Sequence, residues 1–336
     1  MSDIKFGVFL PTFGEGVTYQ LNLDVTLTAE KLGFDSAWVC DHLFGVYSLA
    51  EKPSGLYPDI LECWTTLSAL AAKTSKIRLG TSVVAIPYRN PAVLAKMAAT
   101  LDVISCGRLT LGIGTGRSIP EFLGYGIPWE GFDIRFERTM ESIEIFKKLW
   151  TEPIVNYQGK HYKLVDCQLS PKPVQKPHPP IWVGAMGTKM LSILKYVDGW
   201  LPPSIRVEDI AENISFAEGV AKQRGRPIEI GLECYTNIAP TLEQAVDESR
   251  DAIEQYMGKP VETVMANGVP IRLAPGIAKR FGVVIGGPDE CIAGIEKYVK
   301  AGVKQFVLHF FPNEAAAKGL KLYAEKVIPY VKENYG

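Results

Sequence analysis

The chain has 336 residues, 47% of them hydrophobic and 22% charged, and its 36 Lys and Arg against 37 Asp and Glu give a formal net charge of −1. This composition is typical of a folded globular protein, and the balanced charge argues against a general nucleic-acid binder or a binder of anionic membranes. No apolar run approaches the roughly 18 residues of a membrane span, and the first residues do not resemble a secretory signal.

Eight short apolar segments, rich in β-branched and aromatic residues, predict strands. In chain order they are Phe6–Leu10, Ser36–Cys40, Ile77–Val84, Arg108–Ile113, Ile181–Ala185, Gly199–Leu201, Ile228–Cys234 and Gln305–His309. Amphipathic stretches with helical periodicity lie between most of these segments. The predicted helices are Leu21–Leu32, Trp64–Lys73, Ala92–Ser105, Arg138–Trp150, Lys189–Val197, Val207–Arg224, Asp289–Ala301 and about Ala315–Glu333.

The predicted strands are continuous apolar runs rather than alternating ones, as expected when both faces of a parallel sheet are buried. Eight strand–helix units therefore predict an α/β fold, a (β/α)₈ TIM barrel that forms one domain over residues 1–336. Two stretches interrupt the alternation, and we interpret them as insertions at about 154–180 and 241–288. The first contains a predicted hairpin at Tyr157–Tyr162, and the second lies between the seventh and eighth strands.

The competing architecture is a doubly wound dinucleotide-binding sheet. Its sequence evidence would be Gly112–Gly116 after a strand, but this segment has the pattern GxGxG rather than GxGxxG. The acid that binds the ribose is expected about 20 residues further on, at the end of a second strand, but the acid nearest that spacing, Asp133, opens a predicted helix. The pattern therefore favours the barrel.

Functional residues of a TIM barrel collect where the strands end at the carboxyl face. The most polar strand end is Asp41-His42, where a carboxylate can hold an imidazole that moves a proton near neutral pH. A helix cap followed by a structural histidine is the alternative interpretation. His309 ends the eighth strand, where function and core packing are equally compatible with it, whereas His161 and His178 are expected in solvated loops.

Two glycine-bearing segments also follow predicted strands. Gly112–Gly116 allows either close approach of backbone to a ligand or a tight turn. Gly184–Thr188 precedes a helix whose first N–H groups suit a phosphate, with an ordinary helix cap as the alternative.

The chain lacks the common signatures of protein-borne chemistry. We find no activated nucleophile and no paired carboxylates, and the four histidines lack metal-ligand spacing, so we expect no metal site and an organic cofactor instead. The six cysteines include no CxxC pair, which favours reduced thiols and a cytoplasmic location.

Taken in order, these segments resemble the bacterial luciferase-like superfamily of flavin- and coenzyme F420-dependent oxidoreductases, nearly from end to end. The matching pieces are Ile4–Pro11, Ala29–Trp38, Asp41-His42, Leu67–Thr81, Asn90–Leu94, Leu101–Arg108, Leu111–Gly116, Glu121-Phe122, Gly126-Ile127, Lys172-Pro173, Pro179–Gly184, Asp198–Trp200 and Gly286–Glu290. Each piece is weak alone, but the ordered set is specific.

The resemblance implies a barrel with an insertion after the seventh strand, a small-molecule substrate and a homodimer, with no nucleic-acid or membrane partner. A flavin or deazaflavin ring would lie over the strand ends. The segment Gly80–Pro87 is most similar to the F420-dependent dehydrogenases and reductases, where the matching bond, Ser82–Val83, is a non-proline cis peptide behind the ring. The cofactor-binding residues carried over are Asp41, Ser82, Val83, Gly114, Thr115, Gly116, Gly184, Ala185, Met186 and Gly187.

By the same resemblance, His42 is the general acid/base candidate, and Asp41 and Glu121 accompany it as catalytic residues. Relatives often have Glu or Trp directly after the fourth-strand glycine, where this chain has Arg117. Arginine stays protonated and cannot donate a proton, so it suits an anionic substrate or the acidic tail of the cofactor. Arg117 and Phe44 are the predicted substrate contacts.

Three functions remain open at this point. The first is an F420-dependent oxidoreductase that transfers hydride between the deazaflavin and a small organic substrate. The second is an FMN-dependent luciferase-like monooxygenase, and the third is a non-catalytic flavin-binding barrel. A deazaflavin supplies hydride chemistry but not oxygen activation, so the identity of the cofactor, F420 or FMN, nearly decides the reaction.

Overall fold

A computed structural model describes residues 4–14, 16–44, 59–257, 262–266, 269–273 and 282–336. The strands are β1 Lys5–Phe9, β2 Ser36–Val39, β3 Arg78–Thr81, β4 Val84–Ala85, β5 Leu109–Gly114, β6 Val155–Gln158, β7 Lys163–Cys167, β8 Ile181–Val183, β9 Gly199–Trp200, β10 Glu229–Ile238, β11 Glu262–Ala266, β12 Val269–Leu273, β13 Val283–Gly286 and β14 Gln305–Phe310. The α-helices are α1 Tyr19–Leu32, α2 Cys63–Ala71, α3 Pro91–Ile104, α4 Ile119–Gly124, α5 Phe132–Thr151, α6 Thr188–Leu191, α7 Val207–Arg224, α8 Leu242–Met257, α9 Pro288–Ala301, α10 Ala316–Leu322 and α11 Ile328–Tyr335.

The parallel strands close into a barrel. Going round the ring, the order is β1, β2, β3, β5, β8, β9, β10 and β14, and β14 pairs with β1 again. Within β1, Val8 pairs with Ala37 of β2 on one side and with Leu308 of β14 on the other. The predicted (β/α)₈ TIM barrel is confirmed, and the doubly wound sheet is excluded because such a sheet stays open.

Local sequence signals account for the helix ends. The Thr18 hydroxyl accepts a hydrogen bond from the Leu21 N–H at 3.1 Å and caps α1, which ends at Gly33 with φ 81°. Asn90 caps α3 in the same way, and Pro91 occupies its first position, where no N–H partner is needed.

An aromatic layer fills the lumen of the barrel below its carboxyl end. Trp38 of β2 and Trp182 of β8 meet with ring centroids 5.8 Å apart, although their strands are not neighbours. This contact therefore crosses the interior. A Cβ added at Gly80 would lie 2.2 Å from the Trp38 ring, and one added at Gly199 would lie 2.4 Å from the Trp182 ring, so both glycines provide room for these indoles.

Both interruptions of the alternation contain ordered elements. The predicted hairpin is confirmed as the antiparallel pair β6 and β7. The later interruption contains α8, the antiparallel pair β11 and β12, and β13. Strand β13 was not among the predicted strands; it pairs in parallel with the last residues of β10, from Tyr235 to Ile238. Strand β10 continues beyond its predicted end at Cys234, and its extension would otherwise present an unpaired strand edge. The apolar run Val283–Ile285 pairs with this extension.

Within the described ranges, no helix combines the length and the apolar character needed to cross a bilayer.

Candidate active site

The third strand is broken at the carboxyl end of the barrel. Gly80 of β3 pairs with Thr110, and Val84 of β4 pairs with Ile113, so one strand has an extra residue over this interval. This register shift is a β-bulge, a feature common beside active sites. The bulge contains Ser82 and Val83, and the peptide bond between them is cis, as predicted.

The glycines beside the bulge make room for Val83. A Cβ added at Gly114 would lie 2.8 Å from Val83 Cγ2, and one added at Gly184 would lie 3.0 Å from Val83 Cγ1. Gly116 has φ +70°, and a Cβ there would lie 2.9 Å from the Phe122 ring. Gly114 and Gly184 therefore leave room for Val83, and Gly116 leaves room for the Phe122 ring. The cofactor contacts expected of these glycines stay a prediction.

His42 and Glu121 form the central polar pair of the site. His42 follows β2, and Glu121 lies on α4, after β5. The Nδ1 atom of His42 is 2.9 Å from Glu121 Oε2 and 3.1 Å from Oε1. The carboxylate is fully buried, whereas 19% of the imidazole is exposed.

Further donors hold the Glu121 carboxylate in place. The Leu43 N–H donates to Oε1 at 2.6 Å, and the Tyr88 hydroxyl donates to Oε2 at 3.0 Å. Burial acts to raise the pKa of Glu121, but the hydrogen bonds from His42, the Leu43 N–H and Tyr88 outweigh it and hold this pKa below its ordinary value. Glu121 is therefore ionised at neutral pH, and since an ionised carboxylate only accepts, His42 Nδ1 is the donor. Proton exchange with a ligand then falls to Nε2.

Asp41 forms a buried ion pair with Arg89, a residue that the sequence analysis did not select. Two nitrogens of the guanidinium donate to the two carboxylate oxygens at 2.6 and 2.8 Å, and the Ala85 N–H donates at 3.1 Å. Burial raises the pKa of Asp41, and Arg89 opposes that shift. This bidentate pair ties the end of β2 to the segment after β4.

The other predicted site residues are distributed around the mouth of the barrel. Phe44 stacks on Tyr125, with ring centroids 6.1 Å apart and an interplanar angle of 19°. Arg117 is exposed and follows the loop of Thr115 and Gly116. Ala185 is buried, whereas 46% of Met186 is exposed. Gly187 has φ 80° and precedes α6, which has only four residues before a 3₁₀ turn, in place of the predicted helix Lys189–Val197.

A second histidine–carboxylate pair lies in the lumen. His309 Nδ1 is 3.0 Å from Glu233 Oε1, and the Ser82 hydroxyl donates to Glu233 Oε2 at 3.3 Å. The sequence analysis left His309 open and did not select Glu233. The available signal was an acid between Leu232 and Cys234 near the carboxyl end of the predicted strand Ile228–Cys234, where function collects in a barrel.

The His42–Glu121 pair lies at the carboxyl end of the barrel strands, where enzymes of the TIM-barrel class have their active sites. Comparison with known proteins shows the family. The sequence model of the "Luciferase-like monooxygenase" family matches residues 4–305. An F420-dependent glucose-6-phosphate dehydrogenase of Amycolatopsis mediterranei (strain U-32) is 30% identical over 329 residues, covering 92% of this chain and 94% of the relative.

Solved structures agree with this match. An F420-dependent secondary alcohol dehydrogenase in complex with an F420-acetone adduct superposes with a TM-score of 0.78 at 22% identity, covering 98% of this chain and 99% of the other. A monooxygenase from Streptomyces bottropensis superposes with a TM-score of 0.78 at 25% identity, covering 97% and 99%.

The chain belongs to the luciferase-like monooxygenase family. The predicted resemblance is thus confirmed, and the protein is an enzyme of the oxidoreductase class. The non-catalytic alternative has no support among these relatives.

Proposed function

We propose that this enzyme transfers hydride between coenzyme F420 and a small organic substrate, with His42 as the general acid/base. The observation that carries the proposal is the His42–Glu121 pair at the mouth of the barrel. It can move a proton but not electrons, and within the described residues no group of three His, Cys, Asp or Glu side chains could hold a metal ion. An electron carrier must act beside this pair, and the names of the relatives favour the organic cofactor F420.

The residues around the bulge fit a deazaflavin. Ser82 places a hydroxyl at the barrel mouth, and Gly187 has open space around it, with no atom within 4 Å of an added Cβ. Ser82 and Val83 would back the ring, and Gly184–Thr188 would face its phosphate-bearing tail. When bound, the deazaflavin accepts or donates the hydride.

The side chains of the chain have separate tasks in this proposal. His42 Nε2 removes a proton from a substrate hydroxyl as hydride leaves carbon, or returns it in the reverse direction. Glu121 fixes the imidazole and stabilises its charged form. Phe44 and Tyr125 provide an apolar wall for the substrate, and Arg117 attracts an anionic group on the substrate or on the cofactor tail.

The second candidate is an FMN-dependent monooxygenase. Two observations favour this candidate. The matching family model is described as a luciferase-like monooxygenase, and the Streptomyces bottropensis protein with the same overall fold is a monooxygenase. The two candidates differ in cofactor and therefore in whether oxygen is consumed.

A side-by-side fluorescence titration of the purified apoprotein with F420 and with FMN separates the two candidates. The proposal predicts that F420 binds and that FMN binds much more weakly. Micromolar FMN affinity without F420 binding would overturn it.

We also propose a cytoplasmic homodimer. Family resemblance supports the dimer, and light scattering on the purified protein measures it. A monomeric mass at micromolar concentration contradicts the dimer.

A further inference from the structure

The carboxylate of Glu233 lies inside the barrel, as the register of the strands shows. Leu308 and Phe310 of β14 pack in the outer core between barrel and helices, so the alternate residues Val307 and His309 face the lumen. Glu233 pairs with Val307, which places its side chain on the same inner face.

The hydrogen bond between Ser82 and Glu233 crosses the mouth of the barrel. Ser82 follows β3 and Glu233 belongs to β10, and these strands are four places apart in either direction round the eight-stranded ring. The two residues start from opposite walls, and yet Ser82 Oγ lies 3.3 Å from Glu233 Oε2. The carboxylate therefore lies near the axis of the barrel, above the aromatic layer of Trp38 and Trp182.

His309 fixes this carboxylate. Its ring is stacked between Phe9 and Phe311, with centroids 4.0 and 4.5 Å away, and its side chain is only 2% exposed. Nδ1 lies 3.0 Å from Glu233, whereas Nε2 is buried and makes no hydrogen bond to the described residues. The Glu233 side chain remains 14% exposed, so a ligand in the barrel mouth can reach it, while the contact with His309 fixes its orientation.

Glu233 makes fewer hydrogen bonds to the described residues than Glu121 or Asp41 does. Glu121 receives hydrogen bonds from His42, two backbone N–H groups and Tyr88. Asp41 accepts two hydrogen bonds from the Arg89 guanidinium and one from the Ala85 N–H. Glu233 has Ser82 and His309, and no Lys or Arg among the described residues forms an ion pair with it.

A carboxylate has about four lone-pair positions, so Glu233 retains acceptor capacity in a site where unmet polar groups are costly. The geometry points to Glu233 as a ligand-binding residue that accepts a hydrogen bond from a hydroxyl or N–H group of the molecule held in the barrel mouth, with His309 as its positioning residue. This inference rests on the proposed function, because that function places a ligand there.

The negative charge of Glu233 also disfavours anionic ligand groups. A phosphate or carboxylate at this point would meet like charge, so the part of the ligand that reaches Glu233 is an uncharged donor. Two sources have this chemistry, an N–H of the flavin-type ring and a hydroxyl of the substrate.

The test compares the full-length parent with Glu233→Gln and with a matched control, Glu137→Gln. Glu137 also pairs with a histidine, His161, at 2.8 Å, but on helix α5 outside the barrel. Dissociation constants for F420 and FMN are measured by fluorescence. Binding of 2-propanol and of acetone to the cofactor-loaded protein is measured by saturation-transfer NMR, since only the alcohol is a donor.

We expect Glu233→Gln to weaken either cofactor binding or 2-propanol binding by about tenfold, because the variant loses a hydrogen bond to a charged group. Weaker cofactor binding identifies the ring N–H. Weaker 2-propanol binding with unchanged acetone binding identifies the substrate hydroxyl. His309→Gln should give a smaller change of the same kind, and Glu137→Gln should change neither.

A folded Glu233→Gln variant that binds cofactor and alcohol within twofold of the parent overturns the inference alone. A parent that binds neither F420 nor FMN overturns the proposed function and, with it, this inference.

Discussion

The Nδ1 atom of His42 lies 2.9 Å from Oε2 of Glu121, although 79 residues separate them in sequence. The end of β2 and the short helix α4 bring them together, and the Tyr88 hydroxyl and the N–H groups of Leu43 and Phe44 also donate to the carboxylate. The imidazole is thus held in one orientation and one tautomer before any ligand arrives, which is the arrangement that general acid/base catalysis requires.

The pH dependence of stability should report the ionised state of Glu121. Its pKa in the folded protein is lowered, so its contribution to the free energy of unfolding is complete above its unfolded pKa, about 4.3, and is lost as pH falls through the lower folded pKa. We expect Glu121→Gln to be less stable than the parent at pH 7, with a difference that shrinks below about pH 4. Denaturant unfolding at several pH values measures this, and a constant difference contradicts the assignment.

The Asp41–Arg89 pair should behave as a buried ion pair. Removing one partner leaves a buried charge, so Arg89→Met should lower the free energy of unfolding by about 3–5 kcal/mol. The double variant with Asp41→Asn should recover part of that loss. Lys148→Met is the control, because its exposed pair with Glu152 should contribute less than about 1 kcal/mol. Equal effects of Arg89→Met and Lys148→Met would contradict the role of the pair.

The packing of Val83 against Gly114 can be tested by adding a methyl group at Gly114 and shortening the side chain of Val83. An added methyl group at Gly114 would lie 2.8 Å from Val83, so Gly114→Ala should destabilise the protein by about 1–3 kcal/mol. Val83→Ala in the same chain should reduce that cost. Gly219 lies on the exposed face of helix α7 with open space around it, so Gly219→Ala should stabilise the protein instead. Thermal unfolding is measured for the parent, for Gly114→Ala, for Val83→Ala, for their double variant and for Gly219→Ala. Additive effects of the two bulge substitutions would argue against the contact.

The phosphate end of the proposed cofactor site is best tested beside Gly187 rather than at it. Any side chain at Gly187 is strained by its φ of +80°, whatever the ligand does. Thr188→Glu adds a negative charge without that strain and should weaken F420 binding several-fold, whereas Thr188→Gln adds the same volume without charge and should not. Equal affinities of the two variants would place the phosphate elsewhere.

The sequence predicted the architecture well because each barrel strand is a short apolar run with its own helix. Strand β13 was missed because its partner is the extension of β10, a long-range feature that local patterning does not contain. The helix after Gly187 was predicted too long. The apolar residues of this segment are buried in a 3₁₀ turn as readily as in an α-helix, so their pattern does not show where the α-helix ends.

The site was predicted less completely than the fold. Asp41 and His42 were selected as the polar end of a predicted strand, and the family resemblance added Glu121. Their partners Tyr88 and Arg89 lie in the segment after β4, and local sequence patterns do not show that this segment approaches them. The sequence also did not show that Gly114 and Gly184 leave room for Val83, because a glycine indicates that space is needed and not which side chain fills it.

Replacement of His42 tests the central claim most directly. With F420 and a substrate that the parent turns over, His42→Ala should lower kcat on the order of 10²–10⁴-fold, while the dissociation constant for F420 stays within about threefold of the parent. That separation identifies a group that acts on the proton rather than on cofactor binding. A folded His42→Ala enzyme whose kcat stays within a few-fold of the parent would contradict the account.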